Sequence, residues 1–259
     1  MTNEPEILFE RQGPLGIVTL NRPAALNALT WAMYDGLIDA CARAEADDEL
    51  RVLILRGGPK AFAAGTDISQ FAGFRGAEDG LAYERRLETA VGQLEAVSKP
   101  TIAAIEGYAV GAGAALALVC DLRYGGAGSR IGVPIARTLG NCLSIANHAR
   151  LVDLIGPGRT KELLFRAKLV EADDARAVGL LNEVVAEGQA FARARQVALE
   201  IATHAPITLQ VAKEALRRLM ARRREIEGDD LIACAYASED FREGVNAFIA
   251  HRKPIFKGR

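Results

Sequence analysis

An α/β core followed by a helical C-terminal region is the fold class that the sequence predicts. Short β-branched runs alternate with helix-length segments through the first half, the pattern of an α/β core with parallel strands. From residue 188 to the end the chain reads as helix. Half of the 259 residues are apolar and a quarter are charged, an ordinary balance for one large domain or a core with an appendage.

The elements follow in order. "LGIVTL" (15–20) and "VLILR" (52–56) are bounded by turn residues and read as buried strands. Between them residues 30–47 repeat apolar positions near the helical period, with Thr30 as N-cap. A helix over roughly 78–97 stops before Lys99-Pro100, and "TIAAI" (101–105) returns to strand. A helix from 112, a strand near 123–126 and a helix from about 142 continue the alternation. Beyond the Gly156-Pro157-Gly158 break a helix begins, and "EADDARAVG" makes another that stops at Gly179. After "LLNEVV" (180–185), helices are expected over 188–204, 206–226 and about 229–250, with Pro206 at a helix start. The division is into a core over 1–200 and a helical region over 201–259.

Composition narrows the function classes. A net charge of −1 gives no whole-molecule field for nucleic acid or anionic membrane. Cys41, Cys120, Cys142 and Cys234 are too scattered for a disulfide framework, and no CxxC or HxxxH pair suggests zinc. The acidic start "MTNEPEILFE" lacks the apolar stretch of a signal peptide, and the longest apolar run, 112–120, is too short to span a bilayer. The expectation is a reduced, cytoplasmic protein without metal. The basic run "KEALRRLMARRRE" (213–225) has no interleaved aromatic residues and is flanked by acids, so it reads as a solvated helix face before it reads as an RNA-binding surface.

"GYAVGAGAALALVCDL" (107–122) carries the clearest sign of a site. The turn at Gly111-Ala112-Gly113 opens a helix, which aims backbone N–H groups at something negative. Yet from Gly107 to Val152 the only carboxylate is Asp121, whose position after Cys120 suits a structural hydrogen bond.

Three motifs carry a family resemblance: "TLNRPAALNAL" (19–29), "KAFAAGTDI" (60–68) and "EGYAVGAGAALALVCDL" (106–122). Together with residues 158–185 and 239–259 they resemble, in order and over nearly the whole chain, the crotonase superfamily, the enoyl-CoA hydratase/isomerase group. The resemblance implies a ClpP/crotonase-like spiral of ββα units with a C-terminal helical region used for trimerisation, as a homotrimer or dimer of trimers. It implies acyl-CoA thioesters as substrates within fatty acid metabolism, coenzyme A entering only as part of the substrate. It also implies an oxyanion hole made by the backbone N–H groups of Thr66 and Ala112, holding the enolate oxygen. Fixed donors aimed at charge that develops in the transition state are worth about 3 kcal/mol each.

By the same resemblance Ala24, Ala25 and Leu26 lie along the pantetheine and adenine. Ala64, Asp67 and Ile68 flank the first donor, Gly111 precedes the second, and Phe248 reaches the adenine. His251 stands where the family often has a lysine, leaving Arg22 or Lys253 for the phosphates. Asp67 also reads as an N-cap.

The departures matter as much. The two glutamates of the hydratases fall here at Ala115 and at Ile135, after Pro134, and neither side chain can move a proton. Around them stand Arg137, Thr138, Asn141, Cys142, Ser144 and His148. Asn141 or Thr138 is placed to orient water or a carboxylate, and Arg137 to pair with an acidic acyl group. Cys142, with no nearby acid, reads as a buried thiol. The readings left open are hydration, isomerisation, decarboxylation, thioester hydrolysis, a non-catalytic acyl-CoA-binding protein and an RNA-binding one.

Overall fold

The computed structural model describes residues 4–224 and 226–259, and side chains except those of 222–224. The arginine run Arg222–Arg224 therefore lies outside the described side chains. Two sheets are built in parallel from successive ββα units. Strands β1 (Ile7–Gln12), β2 (Leu15–Leu20) and β3 (Val52–Arg56) enter the large sheet, with helix α1 (Trp31–Ala46) between the last two. Strand β4 (Ala61–Ala63), helix α2 (Ala77–Ala96), β5 (Thr101–Ile105), β6 (Tyr108–Val110) and α3 (Ala112–Val119) follow. Next come β7 (Leu122–Gly126), β8 (Arg130–Gly132), α4 (Ile135–Thr138), α5 (Ile145–Arg166), β9 (Val170–Glu171), α6 (Ala172–Val178) and β10 (Glu183–Val185). The chain ends in α7 (Ala190–Ile201), α8 (Pro206–Arg224), α9 (Asp229–Ala237) and α10 (Glu239–Ile249).

The large sheet has the order β1-β2-β3-β5-β7-β10 and the small one β4-β6-β8-β9. Of the successive strands β3/β4, β5/β6 and β7/β8, the first goes to the large sheet and the second to the small one, whereas β1 and β2 both lie in the large sheet. All pairs are parallel except the β1–β2 hairpin and β8–β9. Parallel strands covered on both faces are near-continuously apolar: β2, β3 and β5 are buried at almost every position. Helix α7 packs against β3, β5 and β7, and the principal core lies on the opposite side, among α1, α2, α3 and the small sheet.

The three longest expected strands occur at their expected bounds, and Thr30 caps α1 by accepting from the Met33 amide at 3.1 Å. The Gly-Pro-Gly break stands as expected: within Ile145–Arg166 the backbone at Gly156 is non-helical (φ 74°, ψ 164°), so two helical segments meet there at a kink. Two features differ from expectation. The helix expected over 229–250 is two helices, because Ser238 is extended (φ −67°, ψ 152°) and accepts the Phe241 amide at 3.0 Å to start α10. Strands β4, β6, β8 and β9, the whole small sheet, have two or three residues each, too short to show a period of two. No helix of the described residues is long and apolar enough to cross a membrane.

Candidate active site

Two glycine turns meet at the edge of the small sheet. One follows β4, where Gly65 has φ 106°; the other follows β6, where Gly111 has φ 55°. Both backbones lie where a side chain is strained, and a Cβ on Gly111 would stand 3.8 Å from the Gly65 Cα. Helix α3 is seated tightly against β4. A Cβ on Gly113 would come within 2.3 Å of the Ala63 carbonyl oxygen, closer than any real contact.

This packing leaves two amides open. The first bond of α3 runs from the Ala115 amide to the Gly111 carbonyl (3.0 Å), so the Ala112 amide has no acceptor inside the helix. The Thr66 amide donates to no backbone carbonyl among the described residues, while its neighbours zip onto Leu29 through Leu29 N–Gly65 O (2.7 Å) and Asp67 N–Leu29 O (2.9 Å). The Thr66 hydroxyl is held between the hydroxyls of Tyr34 (2.7 Å) and Tyr83 (2.8 Å), which fixes the loop from behind.

The "NRPAALN" loop is clamped to the same edge. Buried Asn27 donates to the Ala61 carbonyl (2.9 Å) and accepts the Arg22 amide (2.8 Å), and the Leu26 carbonyl accepts the Ala64 amide (3.1 Å). Arg22 pairs with Asp67 (3.0 Å) and Glu6 (3.1 Å). Asp67 caps the following turn by accepting from the Ser69 amide (3.1 Å) and hydroxyl (2.7 Å). Burial pushes its carboxyl up, but the Ser69 and Arg22 hydrogen bonds outweigh that and hold it below the ordinary value.

A cavity of about 200 Å³ opens in front of the two amides. Of the residues expected at a site, Ala64, Thr66, Ile68, Gly111, Ala112 and Ala115 line it, as do Pro134, Ile135, Asn141 and Phe248. Ala24, Ala25, Leu26, Asp67 and Arg137 do not; Arg137 points outward and is exposed. The lining holds no Arg, Lys or His among the described residues. Burial pushes the Cys142 thiol up to about 12, which makes it a poor nucleophile. His148 is turned back on the Ser144 carbonyl (Nδ1 at 3.0 Å). Asp121 is bonded to the Thr101 amide (2.7 Å) and to Lys213 (2.8 Å), a structural tie.

One lining residue was not foreseen. Glu84 lies on α2, whose buried stripe is Gly80, Tyr83, Glu84, Leu87, Ala90, Val91 and Leu94. Its side chain faces the cavity at 3% exposure. The Tyr236 hydroxyl on α9 donates to Oε1 at 2.7 Å, and Asn141 Nδ2 donates to the Tyr236 oxygen at 3.0 Å. A Cβ on Gly80 would lie 2.2 Å from the Tyr236 ring, so this glycine is what lets α9 sit close enough for the contact. Glu84 Oε2 and Asn141 Oδ1 are buried without a hydrogen-bond partner. Burial raises the Glu84 carboxyl to about 7; the Tyr236 hydrogen bond and the Ser144 backbone pull it down, and the Glu88 charge pushes it up. The signal in the sequence was a glutamate at a position where helical period places an apolar side chain.

The ββα spiral with two open amides at abutting glycine turns makes this a crotonase-fold protein, and comparison with known proteins gives the family. Residues 10–259 match the Enoyl-CoA hydratase/isomerase family. The chain is 34% identical to 2,3-dehydroadipyl-CoA hydratase of Escherichia coli over 98% of its length and 99% of the relative's. It is 33% identical to short-chain-enoyl-CoA hydratase of Clostridium acetobutylicum over 95% of each chain. Among solved structures, an enoyl-CoA hydratase/carnithine racemase from Magnetospirillum magneticum superposes with TM-score 0.81 at 35% identity, covering 99% of this chain and 97% of that one. A methylmalonyl-CoA decarboxylase in complex with 2-nitronate-propionyl-CoA superposes with TM-score 0.89 at 30% identity, over 98% and 99%. The chain belongs to the enoyl-CoA hydratase/isomerase family and is an enzyme of it.

Proposed function

We propose that the protein acts on short, neutral acyl-CoA thioesters, binding the thioester oxygen between the Thr66 and Ala112 amides and stabilising the enolate formed there. The observation that carries this reading is the pair of unbonded amides on two interlocked glycine turns, facing one buried cavity. Such donors need no reorganisation as charge develops, which is where catalysis gains. The cavity is small beside the 300–1,000 Å³ typical of sites for whole drug-sized ligands, which suits a short acyl chain with the rest of the CoA outside. With no cation among the described residues of its lining, an acidic acyl group would be desolvated unpaired.

Hydration of an enoyl thioester is the favoured reaction, after the two hydratases named above, with isomerisation beside it and fatty acid metabolism as its setting. Decarboxylation is the second reading, favoured by the likeness to methylmalonyl-CoA decarboxylase and by the aliphatic residues Ala115 and Ile135. Loss of CO₂ makes an enolate without a base. The CoA arm is assigned to Ala24, Ala25, Leu26, Ala64, Asp67, Ile68 and Phe248. The protein works in the cytoplasm without a further cofactor. Helix α8 supports assembly as a trimer or a pair of trimers: Ile207, Val211, Leu216 and Leu219 are all more than half exposed on it. The core over 1–200 and the helical region over 201–259 remain the proposed division.

The test is turnover of crotonyl-CoA, followed by loss of the conjugated thioester absorbance, beside CO₂ release from methylmalonyl-CoA. Saturable loss of absorbance supports hydration; CO₂ release alone supports the second reading. Binding of neither thioester would sink both.

A further inference from the structure

We propose that Glu84 is the acid–base residue of this site, moving a proton between the substrate α-carbon and solvent from a wall of the cavity that neither Ala115 nor Ile135 occupies. The inference rests on the acyl-CoA reading above and deepens it.

The geometry is that of a held carboxyl with one free end. Tyr236 fixes Oε1 at 2.7 Å and is itself fixed by Asn141 at 3.0 Å, while Oε2 is buried without a hydrogen-bond partner on a residue that lines the cavity. A buried oxygen without a partner costs stability unless something that visits the site uses it. Asn141 Oδ1 is a second open acceptor of the same wall.

The surroundings keep the group poised near neutrality. Glu88, one turn along α2, is neutralised by Arg150 of α5 (2.6 Å). From α9 comes Tyr236, and from the loop before α5 come Asn141, the Cys142 thiol and the Ser144 backbone. Among the described residues lining the cavity no cation holds Glu84 ionised, so burial dominates and both protonation states are accessible near pH 7.

The step balances within the site. The Glu84 carboxylate takes the α-proton; the C–H electron pair becomes the bond between Cα and the thioester carbon, and the carbonyl pair moves onto the oxygen held by the Thr66 and Ala112 amides. In reverse, the neutral carboxyl returns its proton to Cα. Exchange of that proton with solvent labels the carbon.

The experiment uses butyryl-CoA, a saturated probe that cannot be hydrated, with full-length protein in D₂O. Calorimetry reads binding and mass spectrometry reads deuterium at Cα. The expected result is binding with exchange in the wild type, its rate rising with pH through about 7. Glu84→Gln should bind within threefold yet lose about 10²–10⁴-fold in exchange, together with the pH limb. Glu84→Asp should restore part of the rate, which a merely structural glutamate would not require. Tyr236→Phe, which removes the hydrogen bond stabilising the carboxylate, should move the pH limb upward. Bound butyryl-CoA without exchange in the wild type, or exchange in Glu84→Gln within threefold of wild type, overturns the proposal. Failure of the wild type to bind instead overturns the acyl-CoA reading on which it stands.

Discussion

The two walls of the cavity are built on different principles. One wall is backbone: the Thr66 and Ala112 amides, set by the positive φ of Gly65 and Gly111 and by the packing of Gly113, where a methyl group has no room. The other is side chain: Glu84 from α2, Tyr236 from α9 and Asn141 from the loop before α5, joined across 152 and 95 residues of sequence. The first wall fixes where charge can develop and has no titratable group; the second holds the group that titrates. Substitutions should therefore separate shape from proton transfer.

Beyond the loss of exchange in Glu84→Gln, the largest effect is expected on the backbone wall. Gly113→Ala places a methyl 2.3 Å from the Ala63 carbonyl, and neither backbone can yield without moving α3 off β4. Displacing the Ala112 amide should lower butyryl-CoA exchange by about 10²–10³-fold, the usual cost of one such donor. Overpacking should also destabilise the protein by about 1–3 kcal/mol in urea unfolding. Full activity in this variant would show that the two turns are not interlocked as described.

Next in size is a pH effect on the side-chain wall. The Glu84 carboxyl rises from an ordinary 4.5 to about 7 on folding, so the folded state binds more protons between those values. Stability therefore falls as pH rises from about 4.5 and levels off above about 7, a loss of roughly 3 kcal/mol. Glu84→Gln removes that loss. Its melting temperature relative to wild type should be several degrees higher at pH 8 than at pH 5. An equal difference at the two pH values would mean that Glu84 does not change its protonation on folding.

The hinge between the walls is Thr66, which lends its amide to one and bonds Tyr83, the neighbour of Glu84, on the other. Thr66→Val keeps the amide and strips two buried phenols of a partner. It should cost about 1–3 kcal/mol in unfolding free energy while acyl-CoA affinity changes little. A large loss of affinity would show that the hydroxyl, not the amide, meets the thioester.

This contrast also explains what was legible in the sequence. Long buried strands and the glycine turns were, because each is a local pattern: β2, β3 and β5 are continuous apolar runs, and Gly111-Ala112-Gly113 must turn next to a helix start. The small sheet was not, since strands of two or three residues are defined by their neighbours and not by a period. Glu84 was missed for a related reason. A search for acids near the turns finds only the structurally tied Asp121 along the chain from Gly107 to Val152, and α2 lies before that stretch and reaches the cavity only through tertiary packing. The one local clue was its place on the buried stripe between Tyr83 and Leu87. The split at Ser238 was hidden likewise, because a serine is unremarkable in composition until its φ/ψ and its bond to Phe241 are seen.

The smallest effect is expected at Arg137, where the sequence placed a charge beside the acyl group and the structure turns it to solvent. An exposed guanidinium on a short helix at the cavity's outer face can steer an anionic thioester only through water, where salt screens it. Arg137→Ala should leave turnover of neutral thioesters within twofold and stability within about 0.5 kcal/mol. Acidic acyl thioesters make the sharper comparison. If the cavity has no counter-charge, they should be poor substrates of wild type and variant alike, since their carboxylate would be stripped of water beside Glu84 with nothing to replace it. A selective loss of acidic thioesters in Arg137→Ala would mean that α4 swings inward when they bind, and that the side-chain wall has a third member.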